Sequence, residues 1–416
     1  MKTNEDMIKA LAGLLEIESV STQGTDDKPF GDGPDKALEY TLSLCESLGF
    51  RTKRCGNMLG YAEIGQGAEM VGILAHLDVV PAGNGWELPP FALTQKNGNL
   101  YGRGVTDDKG PAIASVFAMK DILDSKVNLK KRIRIIFGLT EENGDWDDID
   151  FYKKTEELPG CGFTPDADFP CIYGEKGIVM LEISLPSGSE ISRLEGGSAP
   201  NMVADHCRCV IGDEVYEVQG VSAHGSTPED GENAISKLMA QLPYNAVSEF
   251  YNTCIGFDLG GERLNCDLWD ELSGKLTLNT GMVRLENKNA VFSIDIRYPV
   301  SFSHEHVVGR VSKAVQKYGA SVTTLAQMNP VYMDKNGPVI SSLMEAYAQV
   351  TGDVQSFPAV IGGGTYARAM DNIVAFGPML PGRELTEHQK NEYMPEADFF
   401  RIRDIYRVAL EKLLLL

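Results

Sequence analysis

Met70-Val71-Gly72-Ile73-Leu74-Ala75 followed at once by His76-Leu77-Asp78, residues 70–78, is the stretch whose reading decides the fold. The apolar run reads as a β-strand that delivers a His-x-Asp pair at its end. Residues two apart on a strand point the same way, so one of the pair can ligate a metal while the other orients it. Working outward, Asn4 is a candidate cap for an opening helix with Met7, Ile8, Leu11, Leu14 and Leu15 at helical spacing. Pro34 starts a second helix, with Leu38, Leu42 and Cys45 on one face and Gly49 as its stop. Residues 58–64 read as a strand, 111–123 as a helix and 132–139 as a β-branched strand. Such alternation predicts an α/β layer fold.

The texture then changes. A strand at 178–185 leads into a Gly/Ser/Pro-rich patch at 186–200 and further short strands. A helix at 231–242, strands at 275–285 and 290–298, a helix at 303–318 and a strand at 321–327 make a small α+β block. The α/β texture resumes with helices at 337–350 and 395–415. At 416 residues the chain is too long for one ordinary core. The simplest account is a discontinuous α/β domain, residues 1–177 and 330–416, interrupted by an inserted α+β domain at 178–329.

Composition narrows the function classes. A net charge of −21 repels nucleic acid and anionic membranes, so neither is an expected partner. No apolar stretch is long enough to span a bilayer. Residues 1–6 carry acids where a signal peptide needs a basic region, which predicts a cytoplasmic protein. The eight cysteines are scattered without CxxC spacing and read as reduced, partly buried thiols.

The chemistry-bearing residues are spread along the chain. His76-x-Asp78 alone is an ordinary hydrogen-bonded pair more often than a metal site. Gly102-Arg103-Gly104-Val105-Thr106-Asp107-Asp108-Lys109-Gly110-Pro111 ends at a helix start. Asp107 or Asp108 caps that helix, or else the turn presents a carboxylate able to bridge two cations. Thr140-Glu141-Glu142-Asn143-Gly144 follows a strand, where one glutamate could bind metal and the other could take a proton from a water. Asp166 and Asp168 lie in the acidic turn Pro165-Asp166-Ala167-Asp168-Phe169-Pro170, and His388 lies near the C-terminus. Two imidazoles and three acids, one acid shared, give each of two metals one imidazole and two carboxylates. That set suits zinc and tolerates manganese or cobalt. Among the other histidines, His206, His304 and His306 have no such setting.

These segments together resemble the dinuclear zinc peptidases that include aminoacylase, carnosinase and the PepV-type dipeptidases, the last branch above all. The likeness runs in order through 76–83, 102–111, 141–144, 165–170, Ser-Ala-His-Gly-Ser-Thr-Pro-Glu at 222–229, Asp-Ile-Arg-Tyr-Pro at 295–299, Gly-Gly-Gly-Thr-Tyr-Ala-Arg at 362–368 and the His388 segment. The resemblance implies a mixed-sheet catalytic domain with a ferredoxin-like lid. It implies that Asp107 bridges two metals, that His76 and Asp166 complete one site, and that Glu142 and His388 complete the other. It further implies that Asp78 orients His76, Glu141 is the general base, and a non-proline cis peptide joins Asp107 to Asp108. His224 would stabilise the oxyanion, Asn201 and Arg297 would hold the substrate carboxylate, and Gly363 and Arg368 would line the substrate site. The implied reaction is hydrolysis of dipeptides or very short peptides by a hydroxide held between the metals. Binding the free carboxylate at a fixed distance from them would favour dipeptides.

The sequence departs from the PepV-type pattern between Asn201 and His224, where only 202–220 stand, reading as two strands and a turn at Gly212-Asp213. The shortened lid leaves a monomer and a homodimer both open, with His224 acting in its own chain or in a partner's. Two other readings compete. One is an N-acyl-amino-acid deacylase or desuccinylase of the same chemistry. The other is a peptide-binding scaffold without catalysis.

Overall fold

The computed structural model describes residues 2–126, 128–144 and 146–416. Contacts divide the chain into two compact units. The first comprises Met1–Tyr173, Met333–Ala359 and Thr365–Leu416, and the second Gly174–Tyr332 with Val360–Gly364. The sequence reading gave everything after residue 330 to the first unit. Residues 360–364 instead belong with the second, because Ile361 O accepts the Lys176 N–H and Gly362 O accepts from Arg297.

The first unit holds a sheet of mixed direction. Its strands lie in the order Arg51–Cys55, Leu59–Gly65, Arg132–Gly138, Met70–His76, Cys161–Thr164 and Ile373–Ala375. Both flanks of Met70–His76 are parallel, and every residue of that strand is buried, as an inner parallel strand requires. Helix Lys109–Asp124 is buried almost throughout and carries small and apolar residues on all sides. It packs with Lys2–Leu15 and Glu396–Leu413. Below the sheet ends, Phe163, Phe169, Phe376 and Tyr406 form one aromatic group with centroids 4.9–6.2 Å apart. Asn4 does not cap the first helix. It lies within that helix, and its side-chain oxygen accepts from Arg403.

The second unit holds a sheet of seven antiparallel strands. Gly177–Pro186, Thr277–Glu286, Asn289–Tyr298 and Ser321–Met328 are its first to fourth core strands, placed side by side in the order fourth, first, third, second. Helices Ala234–Gln241 and Ala246–Cys254 join the first to the second, and His304–Val315 joins the third to the fourth. That is the ferredoxin-like arrangement. Asn233 and Asn245 cap the first two helices through their side chains. Ile191–Gly196, His206–Ile211 and Glu214–Gln219 extend the sheet beyond Thr277–Glu286. The Gly/Ser/Pro-rich patch 186–200 contains the strand Ile191–Gly196, whose Ile191 and Leu194 are drawn into the core. No helix among the described residues is long and apolar enough to cross a membrane.

Candidate active site

Three neighbouring parallel strands of the first unit end at the same level. His76 stands opposite Gly138, and Ile73 opposite Phe163. The carboxyl ends of Met70–His76, Arg132–Gly138 and Cys161–Thr164 therefore carry His76, the Thr140–Glu142 turn and Asp166 to one edge. Open α/β sheets put their ligands at this edge.

Asp107 sits at the centre. Its Oδ1 is 2.9 Å from His76 Nε2, while its Oδ2 is 2.9 Å from His388 Nε2. His388 Nε2 is also 3.0 Å from Glu142 Oε2, and His76 Nε2 is 3.9 Å from Asp166 Oδ1. Ligand atoms of a tetrahedral zinc bonded at about 2.0–2.1 Å stand roughly 3.3 Å apart, so this cluster is of the right size. His76, Asp107 and Glu142 form one group able to hold a cation, and His76, Glu141 and Asp166 another, with ligand atoms within 4.8 Å of one another. Glu142 Oε1 is buried and accepts no hydrogen bond, as befits an oxygen meant for a cation. Nitrogen and oxygen donors of this kind fit zinc, manganese or cobalt.

The surrounding hydrogen bonds fix these groups. The Nδ1–H of His76 points to the main-chain carbonyl of Asp78 at 3.1 Å, so Nε2 faces Asp107, donating to that carboxylate while protonated and free to offer its lone pair to a cation once that proton leaves. The carboxylate of Asp78 is 3.4 Å from the ring and accepts the backbone N–H groups of Glu141 and Glu142 at 3.2 and 3.0 Å. Asp78 thus holds the imidazole by its carbonyl and the glutamate turn by its side chain. Asp148, which the sequence reading passed over, accepts from Leu139 N at 2.6 Å and holds that turn from the other end. The Asp107-Asp108 peptide is cis. Asp108 does not cap the helix that follows, since its carboxylate accepts the His76 N–H at 3.1 Å. Asp168 follows in the short strand Ala167–Asp168, paired with Pro378–Met379.

The charges are poised for a cation. Burial works to raise the Asp107 carboxyl, but hydrogen bonds from His388 and His76 outweigh it and hold the group below the usual range. Its hydrogen bonds to Asp107 and Glu142 push His388 up to about 11. Burial opposes the charged form of His76, yet Asp107 and Asp78 hold its pKa well above the ordinary value. Burial, then the neighbouring acids, raises Asp166 well above its ordinary value. Burial pushes Glu141 up to about 8 against the pull of His76.

Four sequence-predicted residues of the second unit also come together. The Gly225 N–H donates to Asn201 O at 2.7 Å, and Met202 pairs with His224. A Cβ on Gly225 would stand 2.7 Å from Asp295 Oδ2 and 2.8 Å from Asn201 O, so this close approach requires glycine. Arg297 is gripped by Asp295 through Nε at 2.9 Å and Nη2 at 2.7 Å, and its Nη1 donates to Gly362 O at 3.2 Å, beside Gly363. Three of its five N–H groups are thereby used. His224 Nδ1 accepts the Ser226 N–H at 3.2 Å and lies 2.6 Å from Ser226 Oγ. A neutral ring therefore carries its proton on Nε2. Burial and then the charge of Arg297 lower the His224 pKa, which favours that neutral form. Asp295 and Ser226 lie inside the quoted motifs, but alternation along the 289–298 strand was the only signal that Asp295 faces Arg297. Arg368 lies in the first unit, in the short 3₁₀ helix Tyr366–Ala369, so the 362–368 motif crosses the division after Gly364.

A protein of Staphylococcus aureus (strain bovine RF122 / ET3-1), provisionally named a dipeptidase, is 36% identical, the match covering 98% of this chain and 97% of that one. The alignment spans 457 positions against 416 residues here, so the relative carries at least forty residues without a counterpart. Among solved structures, the M20 family metallo-carboxypeptidase Sso-CP2 of Sulfolobus solfataricus shares the fold at a TM-score of 0.64 and 19% identity, over 99% of this chain and all of that one. The aminoacylhistidine dipeptidase of Vibrio alginolyticus does so at 0.65 and 12%, over 97% and 96%. A profile of the peptidase family M20/M25/M40 matches residues 72–412, most of the length, and the chain belongs to that family.

Proposed function

We propose that the protein is a dipeptidase that works with two divalent cations, zinc by preference and manganese or cobalt as substitutes. His76 and Asp166 hold one cation, Glu142 and His388 the other, and Asp107 is shared. The observation that carries this reading is Asp107, whose two carboxylate oxygens each meet a different histidine at 2.9 Å. Cations bound there lower the pKa of a water and polarise a peptide carbonyl.

The protein's own groups do the rest. Glu141 takes the proton of the attacking water and returns it to the leaving amine. His224 donates from Nε2 to the carbonyl oxygen as negative charge grows on it. The two remaining N–H groups of Arg297, with Asn201, take the substrate carboxylate, a planar acceptor suited to a guanidinium fork. Gly363 and Arg368 contribute further substrate contacts. All eight cysteines are free, which suits a reducing compartment, and we read the protein as cytoplasmic.

The dipeptidase name of the 36% identical relative favours dipeptides over acylated amino acids. The test is a panel of dipeptides, tripeptides and N-acetyl and N-succinyl amino acids, assayed with zinc, manganese or cobalt added. Turnover highest on dipeptides supports the proposal. Turnover highest on acyl amino acids would make the protein a deacylase, and none on any would return it to a binding role.

A further inference from the structure

Glu392 lies four residues beyond His388 and is fully buried. Its carboxylate accepts four hydrogen bonds. Oε2 takes Arg103 Nη1 at 2.8 Å and Gly104 N–H at 3.0 Å, and Oε1 takes Thr106 N–H at 2.8 Å and Asp107 N–H at 3.3 Å. The backbone from Gly104 to Asp107 is thus wound around one carboxylate, with Gly104 at a φ of +88° that favours glycine. A buried charge is costly unless it is paired and hydrogen-bonded, and this one is both.

The link continues on either side. Gly102 N–H donates to Glu392 O, and Thr106 Oγ1 to Tyr393 O. Tyr393–Pro395 pairs with Asn99–Tyr101. Thr386 Oγ1 accepts the Tyr393 N–H at 3.2 Å and so closes the loop that bears His388. Arg103, buried beneath the Trp86 ring, extends the tie to Pro81 O at 3.4 Å, in the segment just after Asp78.

We infer that Glu392 is a positioning residue that fastens the Asp107 turn to the His388 segment, so that both reach one cation as a unit. The inference rests on the two-cation reading above. Glu392 touches neither imidazole nor the Asp107 carboxylate; it acts through the main chain that carries Asp107 and through its own connection to His388. Its loss should therefore weaken the cation shared by Asp107, Glu142 and His388 more than the one held with His76 and Asp166.

The test is a stepwise cobalt titration of the metal-stripped full chain, followed by visible absorption and calorimetry, in wild type, Glu392→Gln and Arg103→Met. The glutamine puts an amide N–H₂ against backbone N–H donors, while the methionine removes only one donor and serves if the glutamine variant does not fold. Wild type should bind two ions. Fewer than two would contradict the proposed function itself. Outer-shell changes cost roughly 10–100-fold in metal affinity, and a weakening of about that size is expected at one ion in Glu392→Gln, with the other within about threefold. A smaller loss at the same ion is expected in Arg103→Met. With two ions bound in wild type, unchanged affinities in the folded variants, or equal losses at both ions, would overturn the role of Glu392 and leave the function standing.

Discussion

The Asp107 cluster of the first unit and the Arg297 site of the second are built on opposite electrostatic plans. In the first, Asp107, Glu141, Glu142 and Asp166 crowd together with two histidines, and the pKa values are displaced. His388 is pushed up to about 11, and Glu141 up to about 8. Around Arg297 the charge is balanced at home, since Asp295 takes two of its N–H groups and Gly362 O a third. The first arrangement needs external positive charge to be satisfied. The second is complete without a ligand and has two N–H groups to spare. On the proposed reading, one region holds cations and the other recognises a small anion.

The sharpest break of this contrast is at Glu141. Glu141→Gln removes the proton acceptor but none of the five proposed ligands. The rate on a dipeptide should fall about a thousandfold or more, as for lost general-base catalysis, with metal content kept at the wild-type level. Steady-state kinetics beside elemental analysis checks this, and near-normal turnover would remove Glu141 from the role.

The charge imbalance sets the next expectation. Asp107 raises the pKa of His76, and Asp107 with Glu142 pushes that of His388 up to about 11, so protons compete with a cation for both rings. A cation must expel those protons, so affinity weakens as pH falls, by about tenfold per unit for each proton displaced. Calorimetry in buffers of different ionisation enthalpy counts the protons. Metal affinity flat across pH 6–8 would mean that the ligands are already deprotonated.

How much of the two regions could be read beforehand follows from the same contrast. His76, Asp107, Glu142, Asp166 and His388 each sit in a short motif that says little by itself, and it is the ordered set, with its resemblance to the dinuclear peptidases, that marks them. The sheet then brings them together, because three of those strands are parallel neighbours. What holds the ligands was not legible. Glu392 and Asp148 act on backbone N–H groups, Glu392 on a turn far off in sequence, and neither motif nor periodicity records where a backbone hydrogen bond will go. The strand inside the 186–200 patch was hidden for a related reason: glycines, serines and prolines dominate the composition there, while two apolar residues pairing with a neighbouring strand decide the structure. Of the two readings of the 102–111 turn, a side-chain cap is the one that fails: Asp108 stands at the N-cap position, but its carboxylate is taken by the His76 backbone.

In the second region, Arg297→Ala tests anion recognition. Hydrogen bonds to charged groups contribute roughly 1.5–3 kcal/mol, so kcat/KM on a dipeptide with a free carboxylate should drop about 10–100-fold. Its amidated counterpart should change little, and equal losses on both would sever Arg297 from the carboxylate. Ser226→Ala should have the smallest effect. The Ser226 N–H still fixes the His224 tautomer, so only the hydroxyl contact is lost, for about 1 kcal/mol or roughly fivefold in rate. Nitrogen NMR of the imidazole should still show the proton on Nε2. A shift to Nδ1 would mean that the hydroxyl, and not the backbone, sets the tautomer.

The most direct test is anomalous diffraction at the zinc edge from crystals of active, zinc-loaded protein. Two peaks are expected, one beside His76 and Asp166 and one beside Glu142 and His388, with Asp107 touching both. A single peak, or two that do not share Asp107, in protein that hydrolyses dipeptides at its full rate would contradict the account.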